Sequence, residues 1–305
     1  MRGRRQRQLT RGVIEESSRR TARSPIHPIW NQADSATLAY HTHLLRFDDT
    51  MPHHLTAFMT VARREIQRIL RIWGQTLVPP AITMTLYFLI FGRLIGSRVG
   101  TMEGIGYMEF IVPGLVMMSV IQNSYGNVSS SFFGAKFGRY VEELLVSPMS
   151  NWVILWGYVA GAVIRGLCVG AIVAIVAACF TDVHLPHPFI TFSTVFLGAT
   201  IFALAGFINA IFARKFDDIS IVPTFILTPL TYLGGVFYSM TLLPSWAQAA
   251  TYLNPIFYIV NAFRYGLLNH SDVPIWLTYV LMMLFIAFLS LTALRLLDRG
   301  VGLRG

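Results

Sequence analysis

The sequence predicts an all-α polytopic membrane protein. Three observations predict it. Hydrophobic types make up 54% of the 305 residues, charged residues make up only 13%, and the apolar residues gather in long unbroken runs. A soluble domain carries about 25% charged residues to cover its surface. A chain with half that share expects lipid as its solvent.

Six apolar runs are read as spans, at residues 76–96, 108–129, 153–180, 189–212, 219–240 and 274–295. Each is long enough to cross a hydrocarbon core of ~30 Å as a helix. The runs are continuous rather than alternating, which excludes the ~10-residue alternating segments of a membrane β-barrel.

Residues 1–50 are polar, rich in Arg, Ser and Thr, and without periodicity. They are expected to be a disordered basic extension, and they contain no apolar core of a secretion signal. Met51 and Met59 stand just before the patterned region, which opens the expectation that the natural start is Met51 or Met59 rather than Met1. Residues 51–75 form the next region. Within it, Val61, Ile66, Ile69, Leu70 and Trp73 recur at three- and four-residue steps, with Arg63, Arg64, Arg68 and Arg71 between them. The pattern over 59–74 predicts an amphipathic helix in the headgroup layer. Residues 76–305 are the transmembrane domain.

Six spans place both termini on one side. Twenty Lys and Arg flank the spans on the side of the termini and three on the other, with Arg165 inside a span. Without residues 1–50 the counts are eleven and three. By the positive-inside rule both termini are cytoplasmic. The net charge is +9, and most of it sits ahead of the first span, where it suits an anionic membrane surface. The same residues leave no room for a nucleic-acid fold.

The stretch 241–273 is divided by Asn254-Pro255. Proline lacks a backbone donor and disfavours helix at the residue before it. Two short helices, 244–253 and 256–268, are therefore expected on the outer side, dipping part-way in.

No catalytic set emerges. His184 and His187 are separated by Pro186, so no helix aligns them as metal ligands. Cys168 and Cys179 lie in one apolar run and read as packing residues. No metal or cofactor is expected on this chain. The phosphate-binding loop of nucleotide hydrolases is missing from the sequence. An ATP-driven process would need ATP and Mg on a separate subunit.

Four features remain. Gly157-x-x-x-Gly161 and Gly166-x-x-x-Gly170 share one span and make it a candidate close-packing helix. Arg165 lies between them, where a charge must face protein or a watery cavity. Its partners are expected among carbonyls or amide side chains such as Asn123. In the 130–152 loop, Phe137, Val141, Leu144 and Leu145 alternate with Lys136, Arg139, Tyr140, Glu142 and Glu143 at helical spacing, and Ser147-Pro148 ends the pattern. Adjacent glutamates fit poorly against an anionic membrane, so this helix reads as a docking element for a soluble partner.

The run GRYVEELLVSPMSNWVILWGYVAGAVIRG and the later YLNPIFYIVNAFRYGLL resemble the permeases of the ABC-2 family of ABC exporters. The resemblance covers about residues 58–300 and is nearest to small permeases for drugs, polysaccharides or nodulation factors. It implies a permease homodimer in the inner membrane, embedded in lipid and engaging an ABC ATP-binding subunit. It also implies that the EELLVSP segment is a coupling helix. Arg139, Glu142, Glu143, Leu144, Leu145 and Pro148 would then lie at or near the ATPase contact. Asn254, Pro255 and Arg264 match the paired outer helices. Two other classes compete. A stand-alone secondary transporter or channel would use ionisable residues within spans, which here are nearly confined to Arg165 and Glu109. A membrane enzyme would need acids, histidines or a nucleophile at one depth, and none converge in the sequence.

Overall fold

The computed structural model describes residues 53–146 and 149–302. The expectation of disorder over 1–50 and the helix stop at Ser147-Pro148 lie outside the described residues.

The described chain is almost wholly helical. Helix α1 spans His53–Arg71, begins earlier than the expected 59–74, and runs amphipathically with Val61, Ala62, Glu65 and Ile69 buried. Helix α2, Trp73–Tyr87, contains Pro79 and Pro80. It continues through π-helical turns at Phe88–Ile95 into α3, Gly96–Val99. A two-stranded hairpin follows, β1 (Thr101–Met102) against β2 (Ile105–Gly106). Its two turn residues, Glu103 and Gly104, both have positive φ, 55° and 81°. Such a pair matches the right-handed twist of the strands.

Helix α4, Tyr107–Phe137, is the axis of the fold. Every residue from Phe110 to Ile121 is buried, on all faces, because α4 is surrounded by α6 (Asn151–Ala178), α7 (Pro188–Phe212) and α11 (Pro255–Leu268). A helix so covered needs no lipid-facing stripe. It carries Ser119, Ser124, Asn127 and Ser129 as buried polar residues, which lipid-exposed helix would not tolerate. Helix α5, Tyr140–Val146, follows after a left-handed joint at Arg139, φ 61°.

Among the described residues, four helices are long and apolar enough to cross a membrane: Trp73–Val99, Asn151–Ala178, Pro188–Phe212 and Ile275–Arg299, the last being α12. They correspond to the expected spans at 76–96, 153–180, 189–212 and 274–295. The expected span 108–129 is the longer and more polar α4. The expected span 219–240 is a shorter run. It consists of α8 (Asp218–Val222), a π-helical turn at Pro223–Leu227 and α9 (Thr228–Tyr232). Pro223 and Pro229 withhold donors from the ladder, and the chain turns out of helix at Gly235, φ 74°. At 1.5 Å per residue, helix from Asp218 to Tyr232 covers only about three-quarters of a ~30 Å core.

The division at Asn254 is sharp. Helix α10 is Ser245–Tyr252 and α11 is Pro255–Leu268. Pro255 occupies the first turn of α11, where its missing N–H costs nothing, and the Asn254 side chain caps the helix by accepting from Ile256 N at 3.0 Å.

Glycine sets how close the central helices come. A Cβ on Gly170 would meet Val120 at 2.7 Å, and one on Gly206 would meet the Tyr125 carbonyl oxygen at 2.4 Å. Between such faces sit stacked rings. Phe132 of α4 lies edge-on to Tyr158 of α6 at 5.3 Å and against Phe207 of α7 at 4.2 Å.

Gly206→Ala is expected to destabilise the fold by about 1–3 kcal/mol, the usual cost of overpacking, because a backbone carbonyl blocks the new methyl. Gly126→Ala, which meets nothing within 4 Å, should be neutral or slightly stabilising. Thermal unfolding of the two variants in detergent checks the contrast.

Candidate functional site

Three places concentrate chemistry. The first lies between α1, α4 and α6. Glu65 is buried, with 2% exposure, although it sits on an amphipathic helix rich in arginine. It can approach α6 because Gly161 faces it: a Cβ there would be 2.4 Å from the Glu65 Cβ. Gly157 likewise receives Val61. The first glycine pair of α6 therefore seats α1, while the second, Gly166 and Gly170, faces Ser124 and Val120 of α4.

Glu65 Oε2 accepts from Arg68 Nη2 at 3.0 Å and from Ser131 Oγ at 2.7 Å. Arg68 Nη2 also donates to Asn127 Oδ1 at 2.7 Å. Arg165 reaches the same amide oxygen at 3.4 Å and Asn123 Oδ1 at 3.2 Å. Arg64 donates to the Tyr158 hydroxyl at 2.6 Å. The result is one network in which three cations share one carboxylate and two amide oxygens. A cleft of about 500 Å³ opens beside it, lined by Arg64, Arg68, Arg71, Ser131 and Tyr140 among others.

The second place is the α4–α5 corner. Glu142 and Glu143 are exposed, as are Phe137, Tyr140 and Val146. Val141 turns inward at 2% exposure, and Leu144 packs against the core. The side chain of Leu145, and Pro148, lie outside the described residues. Lys136, one turn before the corner, donates to the Ile211 and Ala213 carbonyls at 2.6 and 2.7 Å. These are unpaired carbonyls at the end of α7, which a cation suits. Burial, and then Arg214, pull the Lys136 ammonium below its usual range, with Asp218 opposing. Phe133, Phe137 and Phe216 stack across the same corner.

The third place is the opposite end of α4. Asn254, besides capping α11, donates to Leu230 O of α9 at 2.6 Å. Arg264, at 1% exposure, lies 4.0 Å over the Phe110 ring and donates to Gly235 O at 2.5 Å. The two residues thus fasten α11 to the segment whose helix ended early. Asp272 Oδ2 faces Arg264 Nη1 at 3.9 Å. Next to it, Glu103, His270 and Asp272 bring their ligating atoms within 4.8 Å of one another. Sequence reasoning missed this trio, because its members come from a hairpin and a distant turn with no shared spacing. It also missed Glu65 and Asn127, which carry no motif. Their one signal was an acidic residue among the arginines of an amphipathic helix.

The ABC-2 type transporter family model matches residues 56–268. The chain belongs to the ABC-2 type transporter family. The inner membrane transport permease YadH of Escherichia coli K12 is 55% identical over 248 residues, covering 81% of this chain and 97% of that protein. Nodulation protein J of Neorhizobium galegae is 22% identical over 251 residues, covering 81% and 96%. Nodulation protein J of Sinorhizobium fredii is 26% identical over 186 residues, covering 61% and 70%. This ABC-2 permease is a multi-pass inner-membrane transport component rather than a catalytic enzyme. Its matched region takes in α1, the α4–α5 corner, the glycine pairs of α6, and α11.

In the permease, Glu65→Ala is expected to cost about 1–3 kcal/mol, the price of leaving charged hydrogen-bonding partners without their acceptor. Glu65→Gln, which keeps an acceptor oxygen, should cost less. Melting temperature in detergent and the amount recovered in membranes report both.

Proposed function

We propose that the chain is the membrane permease of an ATP-driven exporter, powered by a separate ABC ATP-binding subunit that holds ATP and Mg. The observation that carries the reading is the α4–α5 corner. It presents a short helix with two exposed glutamates, flanked by exposed Phe137, Tyr140 and Val146. An exposed apolar patch rimmed by charge suits a protein partner, and the ABC-2 family match covers it. Sequence counts of Lys and Arg support the same side for both termini, the cytoplasm.

On this reading the chain passes the membrane six times. Helix α4 and the segment from Asp218 are the two passes beyond the four long apolar helices. Being short, the second leans on α10, α11 and the turn after Tyr232 to complete the crossing. Two copies pair, and substrate moves along their shared surface as ATP binding shifts them between inward- and outward-facing arrangements. Arg139, Glu142, Glu143, Leu144, Leu145 and Pro148 form the contact with the ATP-binding subunit. Arg165, Gly157, Gly161, Gly166 and Gly170 serve packing of the bundle, and Asn254, Pro255 and Arg264 brace the outer helices. The Phe, Tyr and Met of the spans suit an amphipathic or lipid-like, drug or polysaccharide cargo.

Charge reversal of Glu142 and Glu143 to Lys is expected to lower transport and permease-dependent ATPase activity about tenfold, the effect of losing about 1.4 kcal/mol of contact. The amount of permease in the membrane should not change. Unaltered ATPase activity in vesicles carrying both subunits would refute the coupling role. For the topology, a fluorescent protein fused after Gly305 should light up. Alkaline phosphatase fused there should be silent, and an active phosphatase would overturn the cytoplasmic assignment.

A further inference from the structure

We propose that Glu103, His270 and Asp272 form a binding site for a divalent transition-metal ion of the zinc type. The ion would clasp the hairpin ahead of α4 to the turn ahead of α12. The donor set is one imidazole and two carboxylates, a mixture that suits zinc and its neighbours in the first transition row. His270 Nε2 lies 2.5 Å from Glu103 Oε2 and 3.6 Å from Asp272 Oδ1. Ligand atoms at ~2.1 Å from one tetrahedral ion stand about 3.4 Å apart. The His270–Asp272 pair is already near that spacing. The Glu103 carboxylate has to withdraw by about 1 Å to reach it, and it stands at an exposed hairpin tip.

The surroundings hold each carboxylate by the oxygen that does not face the imidazole. Glu103 Oε1 accepts from Ser239 Oγ, and from Thr241 Oγ1 at 3.2 Å, which leaves Oε2 toward His270. Asp272 Oδ2 faces Arg264 Nη1 at 3.9 Å, which leaves Oδ1 toward His270. The Asp272 backbone N–H donates to Asn261 Oδ1 at 2.8 Å, and Asn261 is fully buried. Outer partners of this kind orient ligands in metal sites. The two carboxylates and Arg264 sum to a formal charge of −1, so a divalent ion is half neutralised and leaves the cluster at +1. With three protein ligands, water completes the shell.

The clasp has a structural consequence. Its ligands lie at the start of the central helix α4 and at the start of α12, and Arg264 links the same cluster to Gly235. An ion here ties the hairpin to the turn ahead of α12, beside the Arg264 link to Gly235, and its loss frees the two. On the six-pass reading this is the outer end of the permease, so the ion would restrain outward opening. Binding itself does not depend on that reading.

The test uses tag-free, full-length permease in detergent, stripped with chelator and titrated with zinc sulfate, with cobalt chloride as an optical probe. The expected result is one saturating equivalent of zinc per chain and a rise of several degrees in melting midpoint. Cobalt should give a visible absorption band that zinc displaces. His270→Ala and the near-isosteric Glu103→Gln should each weaken binding at least tenfold. Glu103→Gln keeps a polar group for Ser239 and Thr241, so it guards against a variant that merely unfolds. Absence of saturable binding overturns the proposal. So does binding that survives both substitutions, which would place the ion elsewhere. A melting midpoint that responds to pH but not to zinc also overturns it, leaving the trio as a bare ion-pair clasp.

Discussion

Close approach of α6 and α7 to α4 is the constraint on which the rest depends. In water, the burial of Phe132, Phe207 and Tyr158 would itself supply the drive. Lipid tails are as apolar as those side chains, so packing has to come from contact and from satisfied polar groups. The glycines make that contact available. Gly206 lets α7 reach the Tyr125 carbonyl, and Gly170 and Gly166 let α6 reach Val120 and Ser124. A side chain at any of these points would hold the helices apart and expose α4 on one face.

Once α4 is enclosed, it can carry polar groups that an isolated membrane helix could not. Asn127 is fully buried and accepts from both Arg68 and Arg165. Asn123 takes the other end of the Arg165 guanidinium. The network then extends outward to Glu65 and Arg68 on α1, which sits close enough only because Gly157 and Gly161 have no side chains. One glycine-bearing helix thus serves two partners, the amphipathic α1 on its first pair and the axial α4 on its second. A buried ion pair is weak evidence for stability by itself. Here its effect is to fix where α1 lies against the bundle.

Much of this was legible in the residues, and the exceptions have physical causes. Continuous apolar runs located the four long helices to within a few residues, since length and composition are what lipid demands. The run at 219–240 located a helical segment but not its end: apolar composition does not register Pro223, Pro229 and Gly235, and the helix stops at Tyr232. The break at Asn254-Pro255 was legible because proline acts locally, on its own residue and the one before it. Arg165 stood out as a charge in an apolar run, and an amide partner such as Asn123 could be anticipated. Asn127, Glu65 and the Glu103–His270–Asp272 cluster could not be, because their meaning comes from tertiary contact alone. The start of α1 was blurred for a simpler reason: His53 and His54 leave the apolar pattern open.

The two ends of α4 differ in how they are held, and the difference bears on how force could pass through the molecule. At the α5 end, Lys136 grips two carbonyls of α7 and the ring of Phe216 meets Phe133 and Phe137. A push on Glu142 and Glu143 would therefore be delivered to α4 and α7 together, through contacts that do not stretch. At the other end, the attachments are polar and discrete. Arg264 meets Gly235, Asn254 meets Leu230, and Glu103 meets His270. Such contacts can be exchanged one for another at small net cost, whereas interdigitated rings must separate as a unit. A permease driven from the α5 end would move that end as a block and change partners at the other. On the proposed reading, the residues that decide opening would then lie in the polar cluster around Arg264, and not among the rings.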